Sequence, residues 1–485
     1  MKVKDLLKNM KILEISDNTI LDANVSDITC DCNNIKANSV CVLYRGVNFD
    51  SHKVAPDIFK TGRIICFLSE ESLAGLPYIK VENARRAQAL VSKNYFKVAE
   101  NSFFSIGITG TNGKTTISYL VDSIFVNRGI KTIRIGTVDY KIGNTILKSK
   151  TTTPSSYDFY AMLNRAKGDN INNLIAEVSS HALSQDRIYG FTFNLAVFTN
   201  LTGDHLDYHS SMEDYFRAKR SLFTKAYANT ALINIDDIYG VRLFKGARIN
   251  KYSYGFNKDA DVHVCHANYT LNGINAIISA FDRYIAVEST LIGKHNLYNI
   301  MASLTSAILA GISDNDIQKG IMQLKNVPGR LEKIEKDGIY FFVDYAHTDD
   351  ALLNVLQSLL PFKKKRIIVV FGCGGNRDRT KRPRMGKIAK KFADLIILTN
   401  DNPRFEKPES IISDILKGIK GRNNVYIEED RRKAIKLAYE FATTGDIILV
   451  AGKGHEDYQI MGNSINHFDD KEVILDIIGD PVEKH

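Results

Sequence analysis

The chain has 485 residues, 44% of them hydrophobic and 25% charged, which supplies several apolar cores and excludes wholesale disorder and low-complexity architectures. At ~150 residues per domain, this length predicts about three domains. A net charge of +9 suits anionic partners, nucleotide phosphates as well as nucleic acid. The densest basic runs, Lys363–Arg366 and Arg377–Arg384, carry no interleaved aromatics and read as solvated faces.

The opening MKVKDLLKNMKILE has lysines without an apolar segment behind them, so no secretory signal is read and a cytoplasmic protein is expected. The longest apolar runs, Ile339–Val343 and Ile367–Phe371, have the length of buried strands, far short of the ~18 residues of a membrane span. The six cysteines, Cys30, Cys32, Cys41, Cys66, Cys265 and Cys373, are too sparse for a disulfide framework and read as reduced and mostly buried. A zinc site of Cys30, Cys32, Cys41 and His52 is the weaker alternative, because C-x-C is not the usual ligand spacing.

Residues 1–101 mix strand-like runs (Ser39–Tyr44, Arg63–Leu68, Tyr78–Val81) with helical segments and lack a catalytic signature, so a binding domain is expected. From Phe103 the pattern becomes strand, glycine turn, helix and strand, a βαβ opening. Further strands are predicted at Asn173–Val178 and Asn194–Asn200, and a long helix at about Leu297–Ala310. After Val327-Pro328-Gly329 the alternation restarts with IYFFVDYAH, RIIVVFGCGG, ADLIILTNDNPR and GDIILVAGKGHE, which reads as a second doubly wound unit. The domains expected are 1–101, 102–328 and 329–485.

The strongest motif is Gly110-Thr111-Asn112-Gly113-Lys114-Thr115-Thr116, between an apolar strand and an amphipathic helix. Glycines there let backbone N–H groups approach phosphate oxygens, a lysine reaches the β- and γ-phosphates, and a threonine hydroxyl faces Mg²⁺. The bland alternative is a ligand-free glycine turn. Glu177 and His205 follow strand-like runs and so fall on the same sheet edge. His205 with His209 has zinc-like spacing, but beside a phosphate loop an oxygen-rich Mg²⁺ site is favoured.

GTNGKTT, EVSSHAL, NLTGDHLDYH, YFRAKRSLF, GKHNLYN, PGRLE, DYAHT and DNPR follow one another in the order found in the Mur ligases. From about residue 26 to Asp457 the chain therefore resembles that family, and within it the members that add meso-diaminopimelate. The resemblance implies an α/β protein of three domains: an N-terminal UDP-sugar-binding domain, a central P-loop ATP-binding domain and a C-terminal Rossmann-like domain for the amino acid. It also implies a cytoplasmic ligase that makes peptidoglycan precursor. Such an enzyme activates the D-Glu γ-carboxylate of UDP-MurNAc-L-Ala-D-Glu with ATP as an acyl phosphate, which the amine then attacks.

Residue by residue, the resemblance implies that Lys114 and two Mg²⁺ ions stabilise the charge in transit. Thr115 and Glu177 would hold one metal, and Glu177 with His205 the other. Lys219, in Y-x-x-A-K, would carry a CO₂-derived carbamate that helps hold the second ion; from the residues alone it is a solvated helix lysine. Gly110, Thr111, Asn112, Gly113, Lys114, Thr115 and Thr116 would bind ATP together with Asn299 at the adenine, Arg330 at the phosphates and Asp344 at the ribose. Cys32, Thr152, Thr153, Ser179, Gln185 and Arg187 match positions for the UDP-sugar dipeptide, with Cys32 in place of a serine. Arg377, Asp401, Asn402, Pro403, Arg404, Gly452 and Glu456 match the diaminopimelate site, Arg404 pairing with the extra carboxylate that lysine lacks. Asn376 and Asp349 stand where Asp and Pro are commoner.

A monomer without nucleic-acid or membrane partners is expected. The alternatives are the same scaffold adding L-lysine or another amine, a folate-type ligase, and a non-catalytic nucleotide-dependent binding protein. A nucleic-acid binder rests on net charge alone and would show a steep salt dependence.

Overall fold

The structure, a computed structural model, describes residues 1–46, 49–99, 102–204, 208–421 and 423–479. Among these residues the strands form four sheets. The first contains β1 (Ile12–Ile15), β2 (Asp27–Thr29), β3 (Ser39–Val42), β4 (Ile64–Ser69) and β5 (Tyr78–Val81) in the order β1-β5-β4-β3-β2. Its core joins Val40, Val42, Leu68 and Ile79 to Ala84, Ala87 and Val91, the buried stripe of the helix Ala84–Tyr95, whose first turn is capped by Asn83.

The central sheet contains β6 (Phe104–Thr109), β7 (Ile133–Ile135), β8 (Asp139–Ile142), β9 (Thr145–Lys148), β10 (Asn173–Glu177), β11 (Phe193–Phe198), β12 (Ala228–Asn234) and β13 (Asn250–Gly255). Three further strands, β14 (Val262–Thr270), β15 (Gly273–Ala280) and β16 (Arg283–Ser289), extend it. The order is β16-β15-β14-β13-β12-β11-β6-β10-β7-β8-β9. β6 lies parallel between β10 and β11. Its carboxyl end is therefore the place where chain connections leave in opposite directions and a crevice opens. The helix Lys114–Asn127 buries Ile117, Leu120, Val121 and Ile124 on one face, the i, i+3, i+4, i+7 spacing of an amphipathic helix.

The third sheet contains β17 (Glu332–Lys336), β18 (Ile339–Asp344), β19 (Ile367–Phe371), β20 (Leu395–Leu398), β21 (Val425–Ile427) and β22 (Ile447–Ala451) in the order β17-β18-β22-β19-β20-β21. All its neighbours are parallel except β17 and β18. Near-continuous apolar runs such as IIVVF are what strands covered on both faces require. A hairpin of β23 (Tyr458–Met461) and β24 (Ser464–His467) follows.

Several expectations shift. The strand expected at Asn194–Asn200 is Phe193–Phe198, because Thr199 and Asn200 turn out to bond the glycine loop. The long helix starts at Lys294, three residues early, after Gly293 at φ 88°. The run Arg377–Arg384 is not wholly solvated: Arg382 is fully buried and holds Glu406 (2.9 Å) and Asp414 (3.0 Å). The cysteines are all free thiols, with Cys265 exposed and Cys30 and Cys32 partly so. His52 spends its ring nitrogens on Asp50 (2.7 Å) and Ser69 (3.2 Å), and among the described residues no three His, Cys, Asp or Glu side chains group as a metal site. Among them, too, no helix is long and apolar enough to cross a membrane.

Candidate active site

The glycine loop leaves β6 and enters the helix at Lys114. A Cβ on Gly110 (φ 149°) would come within 1.8 Å of Thr199 Oγ1, and one on Gly113 (φ 92°) within 2.5 Å of Asn299 Oδ1. Only glycine fits either place. The end of β11 pins the loop: the Asn112 amide donates to Asn200 Oδ1 (2.9 Å) and Thr199 Oγ1 donates to the Asn112 carbonyl (2.6 Å).

Two lysines converge on this loop. Lys114 Nζ donates to the Gly110 and Thr111 carbonyls (2.9 and 2.7 Å), and Lys219 Nζ donates to the Gly110 carbonyl (2.8 Å). The solvated reading of Lys219 is corrected: it is 1% exposed and sits over the Tyr215 ring, because its helix packs inward against the loop. Burial first, then the Lys114 charge, hold its pKa well below the usual lysine value. Burial likewise lowers Lys114, against the pull of Glu177. Lys114 at the N-terminus of the helix that leaves the loop makes a cradle for a polyanion.

Glu177, at the carboxyl end of β10, is fully buried. Its Oε2 accepts from Thr115 Oγ1 (3.1 Å) and Thr137 Oγ1 (2.9 Å), and its Oε1 from the Thr137 amide (3.0 Å). This is an all-oxygen donor set, hard and anionic, and it fits Mg²⁺ completed by phosphate oxygens. His205 lies outside the described residues. His209, its zinc-spaced companion, is engaged with Ser180 Oγ (2.9 Å) and packs on Tyr215.

A cavity of about 440 Å³ above the loop is also lined by Asn299, Arg330 and Asp344. Asp344 ends β18, and its two oxygens accept from the Leu331 and Ala346 amides (2.7 and 2.8 Å). Burial pushes its pKa up to about 6, opposed by Arg330. The Arg330 guanidinium lies over the Tyr345 ring, and its buried Nε has no hydrogen-bond partner among the described residues. Asp350, in the first turn of the helix Asp349–Leu359, accepts from Asn112 Nδ2 (3.2 Å), so the C-terminal sheet unit touches the loop directly.

Beside Glu177, Thr153 Oγ1 donates to its carbonyl (2.8 Å) and accepts from the Ser179 amide (3.0 Å). Thr152 faces Thr137 (3.1 Å). Arg187 donates to the Thr153 carbonyl (2.7 Å) and to Gln185 Oε1 (2.8 Å). The structure thus gathers Thr152, Thr153, Ser179, Gln185 and Arg187. Cys32 follows β2 in the N-terminal sheet and packs against the cluster holding Cys41.

A second cavity of about 690 Å³ is lined by Arg377, Asp401, Asn402, Arg404, Gly452 and Glu456. These residues follow the carboxyl ends of β19, β20 and β22, as a parallel sheet dictates. Pro403 shapes the turn instead: its carbonyl accepts from the Glu406 amide (3.0 Å) and sits where a Cβ on Gly375 would be. Asn376 adopts φ 54°, a conformation asparagine tolerates better than most residues. The two cavities share Thr137, Thr152, Ser179, Asp204, Tyr345 and His347 in their walls.

Sequence reasoning passed over Thr137, Asn200, Asp350 and Lys453. Asn200 and Lys453 each follow a strand's carboxyl end, which is a usable signal; Thr137 and Asp350 enter through tertiary packing alone.

Comparison with known proteins completes the picture. Residues 108–307 match the Mur ligase middle domain, and residues 329–454 match the domain described as Mur ligase, glutamate ligase domain. The chain is 39% identical, over 99% of each chain, to UDP-N-acetylmuramoyl-L-alanyl-D-glutamate--2,6-diaminopimelate ligase of Clostridium botulinum. It is 40% identical, over 94% of each, to the protein of that name from Aquifex aeolicus. A solved structure of a ligase with the same name superposes with a TM-score of 0.71 at 30% identity, covering 99% of both chains.

Proposed function

We propose, from the premise that this chain belongs to the Mur ligase family, that it joins meso-diaminopimelate to the D-Glu γ-carboxylate of UDP-MurNAc-L-Ala-D-Glu at the expense of ATP. The observation that carries this reading is the shared wall: a phosphate-loop chamber and a chamber with both acidic and arginine side chains open on each other at Thr152, Ser179 and His347. A phosphoryl donor on one side and a zwitterionic amine on the other would meet there over one carboxylate.

The chemistry runs in two steps. A γ-carboxylate oxygen attacks the γ-phosphorus, ADP leaves, and an acyl phosphate forms. The amine then attacks the acyl carbon, loses a proton and expels inorganic phosphate, leaving the amide. Lys114 and Arg330 face the charge that moves between phosphate oxygens, where preorganised cations are worth most. Arg187 and Ser179 are placed for the anionic end of the dipeptide. Approach of the two sheet units, already bridged by Asn112 and Asp350, keeps water from the acyl phosphate.

Thr115 and Glu177 would hold one Mg²⁺, and Glu177 with His205 and a carbamylated Lys219 a second, neutralising the transferring phosphoryl group. Carbamate formation needs a neutral amine, and burial of Lys219 shifts its pKa toward that form. We place the enzyme in the cytoplasm, as a monomer.

The test is phosphate release from ATP by the purified protein with Mg²⁺, bicarbonate and the UDP-dipeptide, comparing meso-diaminopimelate, L-lysine and no amine, with product masses. Turnover and a tripeptide mass are expected with diaminopimelate, with at most a low rate with L-lysine and none without amine. Equal use of lysine overturns the choice of amine, and absence of product with every amine overturns the ligase.

A further inference from the structure

Behind the two carboxylates of the larger cavity stands a third charge that takes no part in lining it. Lys453 is 0% exposed. Its Nζ lies 3.5 Å from Glu456 Oε2, 3.9 Å from Asp401 Oδ1 and 3.3 Å from Asn402 Oδ1, with the Tyr458 ring beyond it. Asn402 closes the circuit by donating Nδ2 to Glu456 Oε2 (2.9 Å), while its Oδ1 also accepts from the Ile460 amide (2.9 Å). A buried lysine normally neutralises one partner; here it is set between two.

Two carboxylates and one ammonium leave a single negative charge in the cluster. The neighbouring Arg431 does not alter this count, because it is spent on Asp470 through two contacts of 2.7 Å. One negative charge is the complement of one ammonium. Arg377 and Arg404, on the same cavity wall, supply the complement of a carboxylate. The wall thus offers each end of an amino-acid zwitterion a partner of opposite sign.

We propose that Lys453 is a positioning residue for the amine donor: it sets the Asp401–Glu456 pair to a net charge of minus one and holds Glu456 ionised and aimed at the donor's far ammonium. This rests on the function proposed above and adds the residue that makes its ammonium subsite selective by charge. Burial, then the like charge of Asp401, raise Glu456, while Lys453 and Asn402 oppose them. The groups facing Glu456 are therefore Asp401, Lys453, Asn402, Tyr345, Tyr458 and Arg431. Without Lys453 one of the groups that oppose this rise is gone, so the carboxyl takes up a proton more readily and loses its hold on the ammonium.

The experiment compares full-length wild type, Lys453→Met, Asp401→Asn and the double variant, each checked for native circular dichroism. For each, KM and kcat are measured for the amine, ATP and the UDP-dipeptide across pH. The expected result for Lys453→Met is a fall of about 10²-fold in kcat/KM for the amine, carried by KM, with the acid limb of that profile moved to higher pH. KM for ATP and the dipeptide should hold. The double variant restores the charge count and should recover at least about tenfold. A merely structural lysine would raise all three KM values together and would not be rescued by removing a carboxylate; either result overturns the inference.

If Lys453→Met does not fold, Asp401→Asn decides, since removing the like charge must move the acid limb to lower pH, and an unmoved limb overturns the proposal. The wild type alone judges the proposed function. The variants are scored against whichever amine it accepts, and a wild type that accepts none overturns both.

Discussion

Arg330 Nη2 stands 3.4 Å from Thr115 Oγ1, tying the turn that leaves the central unit to the residue after the phosphate-loop lysine. Its Nε is buried without a partner among the described residues, a costly state unless a ligand oxygen completes it. Arg330→Ala should lower kcat about 10²-fold at saturating ATP, the cost of removing one donor aimed at developing charge. Steady-state kinetics checks this; a change in KM for ATP alone would assign Arg330 to ground-state binding.

Lys219 predicts a dependence on dissolved CO₂. A neutral amine reacts with CO₂, whereas an ammonium does not, and burial lowers the Lys219 pKa toward the neutral form. Enzyme prepared in degassed, bicarbonate-free buffer should lose most of its turnover and regain it on adding bicarbonate. Lys219→Ala should be inactive in both. Carbon NMR of protein equilibrated with labelled bicarbonate should show a carbamate signal that this variant lacks.

How much of this was legible in the sequence depends on how local each cause is. The glycine loop, the turn at Asp401–Arg404 and the parallel strand ends are written in short-range terms: backbone conformation, proline and glycine chemistry, and runs of apolar residues. The burial of Lys219 is not, since it follows from a helix packing against a loop 109 positions earlier. The same is true of Arg382, held by carboxylates from another segment, and of Lys453, set between Glu456 three residues on and Asp401 from a distant strand end. Thr137 became visible only as the backbone and side-chain partner of Glu177.

Asp344 gives a pH dependence with a defined sign. A carboxylate accepts from ribose hydroxyls, and burial raises this one to about 6. ATP binding should be pH-independent above that value and weaken as pH falls through it, KM rising by about tenfold per unit below. Asp344→Asn should raise KM at pH 8 and flatten the profile between pH 5 and 8. A wild-type KM for ATP that is constant down to pH 5 would contradict the assignment.

His295 gives a stability dependence of the opposite origin. It lies within the central unit and bonds Ser358 of the C-terminal unit (2.9 Å), and burial pushes it down to about 4. The unfolded chain, with an ordinary histidine near 6.5, binds the proton first. Stability is therefore full above about 6.5 and declines as pH falls toward 4, by up to about 3 kcal/mol. His347 and His455, also lowered by burial, act in the same direction. The thermal midpoint of wild type should drop between pH 7.5 and 5, and His295→Gln should remove a distinct part of that drop.

Arg404 decides the choice of amine. Its amide bonds the Ile460 carbonyl (3.1 Å) and its Nη1 donates to the Gly375 carbonyl (2.9 Å), so the guanidinium is held from both ends at a residue with φ 53°. A fixed planar fork recognises a carboxylate by two bonds; an ammonium on a flexible stem does not. Arg404→Lys and Arg404→Ala should each lower kcat/KM for meso-diaminopimelate about 10²-fold while leaving the low rate with L-lysine unchanged. In competition between the two amines, product masses should then shift toward a mixture. Equal loss with both amines would mean that Arg404 shapes the turn without touching the distal carboxylate, and selectivity would have to reside in Arg377.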